Sequence, residues 1–144
     1  MSSSLSIDNV EKLMHMKAKV TSLVDYGPTA FGARVDVGFE GQLSGDTING
    51  TMQGIDYFLM RPDGVGHIDV RAAIHTDDGA TIAVSITGFC QFGHEIKDAH
   101  VSFETADERY QWLCNAVVVG KGQNAPVEEG QLPKEFEVSY YVVR

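Results

Sequence analysis

The densest set of chemically competent side chains lies between Gly66 and His75. In an extended strand alternate residues face opposite ways. His67, Asp69, Arg71 and His75 therefore share one face, and Ile68, Val70, Ala72 and Ile74 the other. Asp69 and Arg71 stand about 7 Å apart along such a strand. Arg71 carries a permanent planar cation suited to a carboxylate, phenolate or enolate oxygen. Asp69 or His75 is placed to move a proton, and Ala73 leaves a gap beside them. The run 80–89 continues the division, with Ile82, Val84 and Ile86 set against Thr81, Ser85 and Thr87. Two orientations are open. The polar face is solvated, as in many antiparallel sheets, or it lines a cavity while the apolar face packs outside.

Secondary candidates flank this hairpin. Asp56, Tyr57 and Arg61 precede it, and the Tyr57 hydroxyl is a donor for a ligand oxygen. His94 and His100 read as surface residues, and His67 and His75 are too far apart to share a metal without other ligands. No zinc helix, P-loop, dinucleotide turn or nucleophile elbow occurs, so neither a metal nor an organic cofactor is expected. Cys90 and Cys114 lack metal-ligand spacing and read as reduced core residues.

A net charge of −9 argues against nucleic acid and anionic membrane surfaces as partners. No apolar run reaches membrane-spanning length, and the start, MSSSLSIDNVEK, lacks a basic n-region followed by an apolar stretch. A cytoplasmic location is expected.

The elements that must position these side chains are mostly β. At 144 residues the chain is one domain, read as an appendage over 1–13 and a barrel domain over 14–144. Asp8 and Glu11 have capping-box spacing for a short N-terminal helix. Candidate strands are 16–24, 33–43, 47–53, 56–61, 66–75, 80–89, 98–104, 116–121 and 135–143. Their even spacing suggests an antiparallel sandwich or barrel. Arg61-Pro62-Asp63-Gly64 is a tight turn, and Asp78-Gly79 marks a hairpin pairing 66–75 with 80–89. Thr105 and Glu108 form a capping box for a helix over 106–114. The polar stretch 122–134 reads as a long loop.

An ordered set of motifs runs along this pattern. It comprises Gly38-Phe39-Glu40-Gly41, Gly54-Ile55-Asp56-Tyr57, Arg61-Pro62-Asp63-Gly64, Ile68-Asp69-Val70-Arg71, Thr76-Asp77-Asp78-Gly79, Phe103-Glu104-Thr105, Arg109-Tyr110-x-Trp112-Leu113, Val119-Gly120-Lys121-Gly122 and Tyr140-Tyr141-Val142-Val143. Together they resemble the family called domain of unknown function 3237 over residues 14–144. The resemblance implies a calycin-like or allene-oxide-cyclase-like β-barrel, often self-associating, with no agreed activity. It implies functional positions at Asp56, Asp69, Arg71, Asp78, Glu104 and Tyr110. The chain departs from the family pattern at Tyr57, where Trp is common, and at Ala72-Ala73, where an aromatic residue often stands. The family's Asp-x-Arg favours the inward orientation of the polar face.

The expected site is then Asp69, Arg71 and His75 as catalytic groups, with Asp56, Tyr57, Arg61, Ser85, Glu104 and Tyr110 around a ligand. The expected activity is cofactor-independent proton transfer, isomerisation, cyclisation or lyase chemistry on a small oxygenated molecule, aromatic or polyketide-like. The alternatives are a non-catalytic ligand-binding barrel and an assembly subunit with no pocket chemistry. An apolar outer face would need cover, so a homo-oligomer, first a dimer, is expected.

Overall fold

The computed structural model describes residues 5–91, 94–128 and 130–144. Eight antiparallel strands close into a barrel in chain order. They are β1 (Val10–Thr29), β2 (Gly32–Ser44), β3 (Gly50–Met60), β4 (Val65–Thr76), β5 (Thr81–Gln91), β6 (Glu95–Glu104), β7 (Val117–Asn124) and β8 (Glu135–Val143). β1 closes the ring by pairing with β2 along one edge and β8 along the other. The Asp78-Gly79 hairpin forms as expected: β4 pairs with β5 from Val65↔Gln91 to His75↔Thr81. Gly64 and Gly79 hold φ of +86° and +93°, which glycine adopts without a Cβ penalty.

Four expectations are corrected. The candidate strands 47–53 and 56–61 are one strand, β3. Gly54 does not break it; a Cβ there would lie 2.3 Å from the Arg71 carbonyl, so glycine permits close approach of β4. Residues 10–13, assigned to the appendage, are strand and pair with β8 from Val10↔Val143. No helix occurs at Asp8–Glu11 because cross-strand pairing outweighs local capping; residues 1–4 lie outside the described structure. The helix after β6 is a 3₁₀ helix, Glu108–Asn115, capped by Asp107. Thr105 instead donates to the Thr81 carbonyl (2.8 Å) and accepts the Asp107 N–H (3.2 Å). That places the cap two residues later, where Asp107 Oδ1 accepts the Arg109 N–H at 3.0 Å.

The two ends of the barrel differ. At one end lie the turn 45–49, the β4–β5 turn and the 3₁₀ helix. Met14, Ile48, Met52, Ile74, Ile82 and Leu113 are fully buried there and fill the interior. The other end lies under the turns β1–β2 and β3–β4 and the stretch 130–134, and its interior holds a cavity.

Candidate functional site

The open end holds a cavity of about 520 Å³. That is within the ~300–1,000 Å³ typical of ligand pockets. Its wall is mainly apolar, with Met16, Met60, Phe39, Phe58, Phe136 and Ile68 among the lining side chains. Phe39 and Phe136 meet edge-to-face at 5.6 Å. Leu132 and Pro133, from the β7–β8 connection, complete the rim. A second recess lies outside the barrel, among Lys17, Lys19, Glu40, Glu135 and Glu137, and is an open charged surface.

The polar hairpin face lies on the other side of the wall. Asp69, Arg71 and His75 are exposed on the outer surface of β4, and Ser85 lies outside on β5. Ile68, Val70 and Ile86 line the cavity. The expected inward polar wall is therefore corrected: the apolar face fills the interior, because burying hydrocarbon stabilises the barrel and burying an ionised pair costs free energy. The outer face of this hairpin is polar, so it gives no reason to expect a covering subunit.

The ligand-site candidates divide similarly. Tyr57 projects to the opposite face of β3 from Asp56 and does not line the cavity. Arg61 sits in the β3–β4 turn, paired with Asp63 and within 3.3 Å of His67 Nε2. Glu104 is exposed at the end of β6. Tyr110 belongs to the filled end, where its hydroxyl donates to Asp78 Oδ2 at 2.6 Å. Arg109 joins the same carboxylate at 3.2 Å. Asp78 and Tyr110 thus fasten the 3₁₀ helix to the β4–β5 turn. Among these candidates only Asp56 reaches the cavity.

Asp56 points inward because it holds the phase of Met52, Phe58 and Met60 on β3. The β3–β4 ladder lapses between Asp56↔Val70 and Leu59↔His67. In that gap Asp56 Oδ1 accepts the backbone N–H of Asp69 at 3.0 Å. Asp69 therefore serves the site through its main chain. Burial pushes the Asp56 carboxyl from 3.8 up to about 7. The Asp69 N–H opposes that rise, and the charges of Asp98 and Asp69 add to it.

Asp98 was not among the expected site residues. It is buried on β6 and lines the same cavity. The register between β5 and β6 shifts after Thr87↔His100 to Gly88↔Asp98, leaving Ala99 as an extra residue. This bulge changes the parity of β6, so Ile96 and Asp98 face inward before it and Val101 and Phe103 after it. A Cβ on Gly88 would lie 2.1 Å from the Lys97 carbonyl, so glycine is required opposite the bulge. Gly120 pairs with Asp98 on one side and Tyr140 on the other. A Cβ there would lie 3.0 Å from both side chains. The Tyr140 ring crosses this bare position, and its hydroxyl donates to Asp98. Burial raises the Asp98 carboxyl to about 6, and the Tyr140 bond restrains the rise. Tyr140 itself is pushed well above its usual value by burial. The available signal was an acid in the phase of Ile96, obscured by the parity change.

Cys90 also lines the cavity, and Asn124 Nδ2 donates to its sulfur at 3.7 Å. Among the described residues no three His, Cys, Asp or Glu side chains gather as metal ligands. Among the described residues no helix is long and apolar enough to cross a membrane.

These features define a small closed antiparallel β-barrel with an apolar internal cavity and two carboxyls that titrate near neutrality. The chain belongs to the family described as protein of unknown function DUF3237, whose model matches residues 9–144. A UPF0311 protein of Clostridium acetobutylicum is 31% identical, over 69% of this chain and 73% of that protein. A conserved protein of unknown function from Rhodopseudomonas palustris superposes with a TM-score of 0.79 at 20% identity, covering 94% of this chain and 97% of that one. A structure described as an enzyme from Penicillium herquei gives 0.74 at 21% identity, covering all of both chains. At these identities the structural likeness speaks for the fold.

Proposed function

We propose that the protein is an acid–base enzyme that moves a proton on a small, largely apolar ketone or phenol held in the barrel, without a metal or organic cofactor. The observation that carries the reading is a pair of carboxyls, Asp56 and Asp98, facing one apolar cavity. Environments that separate two carboxyls in pKa assign them different roles. Asp98, held lower by Tyr140, is the base; Asp56, held higher, is the acid. Asp98 removes a proton from carbon α to a carbonyl. The C–H electron pair becomes the C=C bond of an enol, and Asp56 delivers its proton to the carbonyl oxygen. Return of a proton to the same or a neighbouring carbon gives exchange or isomerisation. The fold neighbour described as an enzyme supports catalysis on this scaffold.

The test uses 2-tetralone in D₂O, with deuterium uptake at the α carbons followed by mass spectrometry. The wild-type protein is expected to accelerate uptake, with a bell-shaped profile centred between about 6 and about 7. Asp98→Asn is expected to remove the acceleration, and Asp56→Asn to reduce it by roughly 10²-fold or more. Binding of 2-tetralone with no faster exchange than in buffer would leave a barrel that holds a ligand without turning it over, and would refute the acid–base reading.

A further inference from the structure

We propose that the cavity sorts its ligands by charge, admitting an uncharged apolar molecule with a hydroxyl or ketone oxygen and refusing the same skeleton bearing a carboxylate. This names the ligand class of the site proposed above and rests on that reading of where the ligand lies. Every charge the wall can carry is negative. Asp25 lines it on β1, Asp56 on β3 and Asp98 on β6, and the described lining residues include no Lys, Arg or His. The other titratable lining groups are Cys90 on β5 and Tyr140 on β8; β2, β4 and β7 contribute none. Outside the wall, the Asp69 carboxylate also repels negative charge at Asp56. Lys17 and Lys19 line the external recess instead. The whole chain carries −9. A carboxylate entering this interior loses its water and meets like charge with no cation in reach. A hydroxyl avoids that cost. It donates to an ionised carboxylate and accepts from a protonated one, so a hydroxyl suits either aspartate in either protonation state. The aromatic and aliphatic side chains take the remainder of the molecule.

The test compares 2-naphthol with 2-naphthoate, which share a skeleton and differ in charge at both pH 5 and pH 8. Dissociation constants are measured by calorimetry on the wild-type protein and on Asp56→Asn/Asp98→Asn. At pH 8 the naphthol is expected to bind roughly tenfold or more tightly than the naphthoate. At pH 5 the aspartates are largely protonated, and the margin is expected to shrink by about threefold or more. The double variant should show the smaller margin already at pH 8. The wild-type comparison between the two pH values stands even where the variant folds poorly. Equal or tighter naphthoate binding at pH 8, an unchanged margin at pH 5, or no binding of either compound would overturn the proposal. Its failure is separable from that of the acid–base reading: tight naphthoate binding with intact 2-tetralone exchange sinks charge sorting alone, and lost exchange with intact selectivity sinks catalysis alone.

Discussion

Replacing Asp56 and Asp98 by asparagine should make the protein's stability nearly independent of pH between 5 and 8, where the wild type loses stability steadily. Both carboxyls rise on folding, from 3.8 to about 7 and about 6. Over that range the folded state binds more protons than the unfolded chain, so stability falls as pH rises. Linkage at 1.36 kcal/mol per pKa unit gives a loss of about 3 kcal/mol from Asp56 and about 1 kcal/mol from Asp98 between pH 5 and 8. The sum, about 4 kcal/mol, is a large share of the ~5–15 kcal/mol that holds a typical domain folded. Asp63, Asp78 and Asp107 do not disturb the window. Hydrogen bonds from Arg61, Thr76 and Arg109 hold them low, so their contributions are lost only as pH falls below the unfolded carboxylate value. With a urea slope of ~2 kcal/mol per molar, the wild-type midpoint should fall by about 2 M from pH 5 to pH 8. A wild-type midpoint that holds or rises over this range would refute the burial argument for both aspartates.

Tyr140→Phe removes the donor that restrains Asp98, so the Asp98 carboxyl should titrate higher than in the wild type, read from its infrared carbonyl band against pH. Gly88→Ala sets a Cβ against the Lys97 carbonyl and should cost roughly 1–3 kcal/mol in urea denaturation; an unchanged midpoint would mean the Ala99 bulge is not fixed by Gly88. Asp107→Ala should cost about 1–2 kcal/mol through loss of the 3₁₀ cap, and a smaller loss than that of Thr105→Ala would show that Thr105 carries the turn. Arg71→Ala should leave 2-naphthol affinity unchanged by calorimetry, since Arg71 lies outside the barrel; a loss of about tenfold would place it in the site.

Much of the barrel was legible because its signals are local. Alternation in 66–75 and 80–89 and the Asp78-Gly79 turn determine a hairpin before any long-range contact is known, and β8 occupies the expected 135–143. The side of the wall that faces inward was not local information. Alternation separates two faces and leaves their orientation to closure of the sheet, and the cluster of Asp69, Arg71 and His75 drew attention to the wrong side. Asp56 was within reach on phase alone, as an acid in register with Met52, Phe58 and Met60. Asp98 was not, because the Ala99 bulge makes β6 change parity beside it, and a bulge depends on the partner strand's Gly88 rather than on β6 itself. Tyr140 becomes a site residue only through Gly120, which pairs with Asp98 on one side and Tyr140 on the other.

Asp56 and Asp98 are expected to exchange protons near neutral pH inside the barrel. Carboxyl-detected ¹³C NMR titration of aspartate-labelled protein decides this, with Asp56→Asn and Asp98→Asn assigning the two signals. Two carboxyl resonances are expected, with midpoints at about 7 and about 6, each missing from its own variant. Completion of every aspartate titration below about pH 5 would contradict this.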